Sequence, residues 1–543
     1  MLLHSEAISE PTPGPLPPGT AGSLRYSRRQ TVVNAATSWA DMICQGVLGV
    51  LLVPLLIDRL GKDGFGVVCL LNVIIIYTSF ADLGVRGAIG RDLSERVARN
   101  DARGFTSLLT MSVLLLLSVS GVLSLGLFIF RGSLVRLLEV PPSLEAAATS
   151  LIPFYCGGML TLGFITPIFS SATAALNRFD VVNVIRMLIT LAGNIILLFF
   201  LPHGPQAIYV WCFVLVATQL ALFLVTLLSF VRICRPYLTS FSLPSFESML
   251  SLVSFGGKVF GLTFFSMMGT QADPVILSAF MGPGAISIYN PAVRISAMVR
   301  PMVMVLAQTL CPMATSHHAT NNTEQMQALL LKGTRYTMLF GALATVGVMS
   351  LAKPFCQLWL GGVLGEDALR VASILMLVAM VDFVDYAAGT QWPVLVGTRK
   401  IDFLLATTVP FTVVNLVLSI VLVGYAGVGI SGVIIATLIT SLLRRPLVIW
   451  HTASQCGVPL STYITYSYVP ALGITIVLAV IGVLVNASQP IRGWPTLMIH
   501  AGVLAVAWSP MAILFGIPKE DRVWLARACR GYVRRLAASS GGL

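Results

Sequence analysis

The chain has 543 residues, of which 56% are hydrophobic and only 10% charged, with a mean hydropathy of +0.88. Soluble proteins carry about 25% charged residues, so this inventory excludes a water-soluble surface and implies a polytopic membrane protein. The net charge of +12 and pI near 9.5 fit the basic cytoplasmic loops of membrane proteins and not nucleic-acid binding, because no basic module with stacking aromatics accompanies them.

Residues 1–30 hold a proline-rich tract, Pro11 to Pro18, followed by Arg25, Arg28 and Arg29. They read as a disordered cytoplasmic tail. The first long apolar run, from Thr31 to Ile57, is long enough to cross a bilayer. On it Asn34, Ser38, Asp41 and Gln45 fall at i, i+4, i+7 and i+11, one polar face on an otherwise apolar helix. That face looks either into a wet cavity or onto a polar seam with another helix.

Apolar runs of roughly 20 residues recur along the chain, giving fourteen expected spans centred near 45, 74, 117, 163, 192, 219, 266, 298, 345, 382, 413, 438, 475 and 506. Between the second and third lies "FADLGVRGAIGRDLSERVARND", Phe80 to Asp101, with eight charged side chains in 22 positions. Ile89, Leu93 and Val97 recur every fourth residue, while Asp82, Arg86, Arg91 and Arg96 are among the charges around them. The spacing predicts a cytoplasmic elbow helix lying at the headgroups, arginines toward anionic lipid.

Later spans carry charges that cost at least ~2.5 kcal/mol each at mid-membrane and so ask for a function. Lys258 lies on the seventh span, Arg294 and Arg300 on the eighth, and Asp382 and Asp385 three apart on the tenth. Lys258 and the arginines are candidates for a diphosphate or for pairing with an aspartate. Asp41, Asp382 and Asp385 are candidates for coupling to a proton or sodium ion; alternatively one aspartate of the tenth span pairs with Arg294 or Lys258 and the other reaches the outer surface. With Asp273 the intramembrane acids number four against three cations, so charge count alone does not define an anion cavity.

The nine cysteines form no C-x-x-C pair and the six histidines no H-x-x-x-H pair, so neither a metal nor another cofactor is expected. "GVGISG", Gly427 to Gly432, matches a dinucleotide pattern but follows no soluble strand, and "FGGKVF" around Lys258 lacks the remainder of a phosphate loop. The sequons at Asn321 and Asn486 read as chance. In the tail, Leu525, Cys529, Val533 and Leu536 share one face amid arginines, the pattern of an interfacial helix.

Two regularities organise the chain. A shift of about 221 residues aligns "LGKDGFGVV" from Leu60 with "MGPGAISIY" from Met281, and "NRFDVVNVI" from Asn177 with "TRKIDFLLA" from Thr398. This predicts two parallel six-helix lobes, residues 31–231 and 249–451, then two further helices within 464–516 and a basic cytoplasmic amphipathic tail, 517–543. With the N-terminus inside, one face holds 24 of the 34 basic residues and the other seven, so both termini are expected in the cytoplasm.

A six-plus-six-plus-two plan with that elbow, together with "ALNRFDVVNVIR", "QADPVILSAFMGPGAISIYNPAVRIS" and "LVGTRKIDF", resembles the oligosaccharide-lipid flippases of O-antigen and capsule synthesis, within the superfamily of multidrug and toxin extruders. The resemblance runs from about residue 30 to 515. It implies two lobes around a central cavity that opens alternately to either side of the bacterial inner membrane. The implied substrate is a polyprenyl-diphosphate-linked oligosaccharide destined for surface polysaccharide or lipopolysaccharide, with the polymerase machinery as a partner. The chain departs from the family at Pro274, after Asp273, where a basic residue is frequent. The rival readings are a cation-coupled multidrug extruder of the same fold and, less favoured, a membrane glycosyltransferase or polymerase. The latter needs a large polar loop with catalytic groups, and the longest loops here are roughly 20 residues.

Overall fold

The computed structural model describes residues 28–523, apart from 83–84, 239–263, 399 and scattered positions between 266 and 321; at 28–29, 31–32, 35, 82, 85–88, 91, 98, 306, 308 and 401 it describes backbone only. The proline-rich tail, the amphipathic tail segment after 523, Lys258, and the side chains of Asp82, Arg86 and Arg91 therefore lie outside the described residues.

Among the described residues every regular element is helical. Inside a bilayer each peptide group must find its partner within its own segment, which a helix provides. Helix α1, Arg28–Ser79, is followed by α2, Val85–Ala98, and α3, Ala102–Leu137. Next come α4, Pro142–Ala175, α5, Phe179–Phe200, and α6, Gln206–Cys234. The second half runs through α7 (271–281), α8, Ile286–Gln308, and α9, Thr323–Leu364. It continues with α10, Asp367–Ala387, α11, Gln391–Gly397, α12, Ile401–Ile420, and α13, Ser431–Gln455. The last two are α14, Leu460–Ser488, and α15, Trp494–Gly516.

Ten of these helices are long and apolar enough to cross a membrane, or eleven if the bent pair α10 and α11 is one span. That count does not reach fourteen. One reason is that Ala36–Ser79 passes as a single 44-residue helix although Gly61 (φ 72°, ψ 173°) breaks it into two arms. Another is that α8, carrying Arg294, Arg300 and two prolines, falls outside the ten.

The internal repeat is visible in the backbone. Gly282 (φ 80°, ψ 165°) turns the chain between α7 and α8 as Gly61 does within α1, 221 residues earlier. Both sit in the left-handed region, where a side chain is costly. At the same offset, Asp101 and Asn322 cap α3 and α9 by accepting the backbone N–H three residues on, at 2.8 and 3.0 Å. Two helix ends separated by 221 residues thus solve the same problem of unpaired donors.

Packing distinguishes the two ends of the bundle. At the distal end, away from the described chain ends, one core joins both halves: Leu52 to Ile74 and Leu197 to Cys212 pack with Ala272 to Ala292 and Ala352 to Val381. There Lys62 Nζ lies 2.5 Å from Asp367 Oδ2, Ser287 donates to the Lys62 carbonyl, and Trp359 Nε1 donates to the Val50 carbonyl at 3.2 Å. Gly66 is packed so closely that a Cβ would sit 2.0 Å from the Pro283 carbonyl oxygen. At the terminal end each half keeps its own core, one built on Phe105, Phe164 and Phe230, the other on Met338, Tyr386 and Tyr463. There the Phe80 ring stands edge-on to Phe264 across the halves, 5.8 Å between centroids.

The elbow α2 is helical as its spacing predicts, but its apolar stripe is not given to lipid. Ile89, Leu93 and Val97 are buried against Phe105, Leu108, Phe164 and Ile168. At ~1.5–3 kcal/mol for each buried aliphatic side chain, protein packing outcompetes the headgroup region for this face. Arg96 turns toward the chain, 2.9 Å from Asp101, the cap of α3.

Helices α14 and α15 are tied to α9. Arg335, buried, donates to the carbonyls of Gly516, Phe515 and Tyr466 at 2.5, 2.8 and 3.1 Å. Just past α15, Asp521 accepts from Lys332 at 2.8 Å and from Tyr336. Burial alone would raise the Asp521 carboxyl, but those two donors and the lysine charge hold it below the ordinary carboxylate range.

Candidate functional site

The charges inside the bundle separate into two assemblies, one in each half. The first grows from the polar face of α1. Asn34, Ser38 and Asp41 turn toward the start of α5, which returns a matching face. Asn34 Nδ2 donates to Asn177 Oδ1 at 3.1 Å and its Oδ1 accepts the Asp180 N–H at 3.0 Å. Asn183 Nδ2 donates to Ser38 Oγ at 2.8 Å. Arg186 places Nε 2.8 Å and Nη2 2.6 Å from Asp41 Oδ2. Asp41 is buried and its Oδ1 has no partner, while the Arg186 side chain is 48% exposed. These contacts join the polar face of α1 to α5, while Ser38 and the Arg186 side chain remain exposed beside them. Gln45, half-buried, makes no hydrogen bond among the described residues.

The second assembly surrounds a cavity of about 520 Å³ between α8, α10, α12 and α13. Residues Arg300, Asp385, Asn415, Arg444 and Arg445 open onto it. Ser296 and Arg300 are one helical turn apart on α8 and share a face, as do Asp382 and Asp385 on α10. The two faces meet. Ser296 Oγ donates to Asp382 Oδ2, and Arg300 reaches Asp382 Oδ1 at 3.6 Å and Asp385 Oδ2 at 2.6 Å. From α13, Arg445 puts Nε 2.8 Å and Nη2 2.6 Å from Asp385 Oδ1.

Adjacent helical residues point about 100° apart, so Arg444 cannot share the direction of Arg445. It turns toward the cavity; its Nε is buried without an acceptor, and it has no ion-pair partner among the described residues. Three guanidinium groups therefore face two carboxylates. Desolvated charge is tolerated only when compensated, and this site carries one uncompensated positive charge beside open volume. Asn415 adds an unpaired buried Oδ1 at the wall, its Nδ2 donating to Thr437 and Thr440 at 3.1 and 3.3 Å.

Of the residues singled out from sequence, Arg300, Asp382 and Asp385 come together here. Arg294 does not join them: it is exposed and lies over Gly49 of α1, where a Cβ would meet its Nε at 2.8 Å. Neither aspartate of α10 pairs with Arg294; Arg300 stands between them. Arg186, Arg335, Arg444 and Arg445, which belong to the 24 basic residues counted on the inner face, place their side chains against the helices of the bundle. The available signal was "SLLRRPLVIW", a basic pair flanked on both sides by apolar residues within one helix. No group of three metal-ligating side chains occurs among the described residues.

A family model described as "Polysaccharide biosynthesis protein" matches residues 35–318, more than half of the chain. The chain is 22% identical over 511 residues to the uncharacterized membrane protein EpsK of Bacillus subtilis (strain 168), covering 90% of this chain and 96% of that protein. Its fold is similar to the lipid II flippase MurJ in an inward closed conformation, with a TM-score of 0.64 and 13% identity over 89% of this chain and 98% of that one. It is also similar to an inward-facing multidrug resistance MATE family transporter of the MOP superfamily, with a TM-score of 0.62 and 14% identity over 78% and 98%.

Proposed function

The chain belongs to the polysaccharide biosynthesis protein family, and on that premise we propose that it is a flippase for a polyprenyl-diphosphate-linked oligosaccharide in the bacterial inner membrane. In this reading both termini are cytoplasmic, and residues 31–231 and 249–451 act as two lobes that rock about the bundle. The polymerase machinery would receive the translocated lipid on the far side. The observation that carries it is the unpaired Arg444 beside a cavity of about 520 Å³. The planar fork of a guanidinium group matches the oxygens of a diphosphate, which accept paired N–H···O contacts. The shared distal core and the separate terminal cores support a state closed at one end and divided at the other. A fold shared with transporters and the absence of a catalytic constellation around the described cavity favour transport over glycosyl transfer.

Each part has a job in this scheme. Arg444 attracts the diphosphate, Arg300 and Arg445 bracket it, and Asn415 with Thr437 and Thr440 offers neutral contacts. The half-exposed Arg186 and the exposed Arg294 line the path between the lobes.

Arg444→Gln tests the reading in cells that assemble the lipid-linked saccharide. Glycan display falls by at least about tenfold, the loss expected for a charged contact worth ~1.5–3 kcal/mol, while the lipid-linked intermediate accumulates and protein abundance is unchanged. Normal display in this variant removes the site. Sensitivity to cationic dyes with glycan intact selects the multidrug extruder instead.

A further inference from the structure

We propose that Asp385 is a built-in substitute for the substrate's phosphate, holding the anion site closed when empty and yielding it when a diphosphate enters. This rests on the reading of the cavity as a diphosphate site and says how that site is regulated. The geometry is that of a bridged anion. One oxygen of Asp385 takes Nε and Nη2 of Arg445 at 2.8 and 2.6 Å, and the other takes Nη2 of Arg300 at 2.6 Å. A carboxylate held between two guanidinium groups occupies the position a phosphate takes between the same donors. Asp385 also lies on the cavity wall beside Arg444, so an entering anion meets the occupied pair and the free cation together.

The arrangement answers a physical problem. An empty site with three guanidinium groups and no carboxylate would be strongly unfavourable inside a bilayer. Asp385, together with Asp382, neutralises two of the three and leaves Arg444 as the landing charge. Because Arg300 lies on α8, Asp385 on α10 and Arg445 on α13, the resting bridge ties three helices. An entering diphosphate takes over the donors of Arg300 and Arg445 and releases α10 from α13, while Ser296 of α8 still holds Asp382. Loading is thereby converted into a change of helix connection, with no covalent step. The same exchange lowers the apparent affinity of the resting protein, since ligand binding must first displace an internal competitor.

The test uses the full chain in nanodiscs with inorganic pyrophosphate as the probe, binding read by calorimetry and folding by thermal melting. Asp385→Asn removes the competitor and tightens pyrophosphate binding by at least about fivefold, the lower range of ordinary coupling, and Arg444→Gln abolishes it. In the wild-type protein, pyrophosphate increases carbodiimide modification of Asp385, read by mass spectrometry, as the carboxylate leaves its guanidinium partners. This second measurement decides the matter if the Asn variant does not fold. Unchanged or weaker binding in a folded Asp385→Asn protein, or Asp385 labelling that pyrophosphate leaves flat, overturns the exchange while loss of binding in Arg444→Gln keeps the anion site. Absence of pyrophosphate binding in both wild type and Asp385→Asn overturns the exchange and the anion site together.

Discussion

The two halves place the same helices in the same order and fill them with opposite chemistry. At the 221-residue offset, Phe164 stands for Asp385 and Phe223 for Arg444. Phe164 is 1% exposed in a core that also buries Leu160, Ile168 and Phe230, and Phe169 sets its ring 6.1 Å from Phe223 and 5.0 Å from Phe230. The corresponding volume of the second half is a cavity bordered by three arginines. A duplicated backbone thus fixes where helices turn and where their ends are capped. Whether the space between them is dry or charged is decided residue by residue.

The difference can be broken most severely in the dry half. Phe164→Asp puts a carboxylate among the buried apolar side chains of Leu160, Ile168 and Phe230, and the expected cost exceeds ~4 kcal/mol. Loss of monodisperse protein in detergent checks it, and a Phe164→Asp variant melting like wild type would refute the contrast. The charged half responds less steeply. Asp385→Ala leaves Arg300 and Arg445 without their bridge, a cost of about 3 kcal/mol, at the low end of the range because the Arg300 side chain is 41% exposed. Adding Arg445→Leu restores part of the lost stability, read as a rise in melting temperature over the single variant.

Asp41→Asn sharpens the comparison from the first half. Its partner Arg186 is 48% exposed and regains water, so about 1 kcal/mol is expected in thermal melting. The smallest effect belongs to Asp521. Its carboxyl is held low in the folded chain, so its contribution is complete above the ordinary carboxylate value of about 4 and fades as pH falls through the lower folded value. Melting temperature followed from pH 6 to 3 should therefore drop more for wild type than for Asp521→Asn.

How far the sequence reaches can be judged from these same residues. The offset of 221 was legible, and so were the faces that carry Asn34, Ser38 and Asp41 or Asp382 and Asp385, because both follow from period and spacing. Which helix each face meets was not. Spacing fixes the direction of a side chain about its own axis but not the neighbour brought there by packing. Asp41 could therefore be placed on a polar face, while its partner Arg186 entered only the count of basic residues on the inner face. Arg444 and Arg445 were missed for a related reason: a basic pair reads as a membrane boundary, and only the fold shows α13 continuing apolar beyond it. The elbow was recognised as amphipathic, yet lipid and protein both satisfy an apolar stripe, and its outcome depended on the hollow that α3, α4 and α6 offer.

The contacts of Arg335 bear on how the protein is made. Its acceptors on α15 lie 181 and 180 residues later in the chain. While the ribosome is still synthesising the last two helices, this guanidinium has no carbonyls of α15 to occupy it. The second half is consequently unfinished until the final helix has entered the membrane. A polypeptide released before Phe515 would leave Arg335 with the Tyr466 carbonyl of α14 as the single one of its three acceptors, and α9 with an unfilled flank.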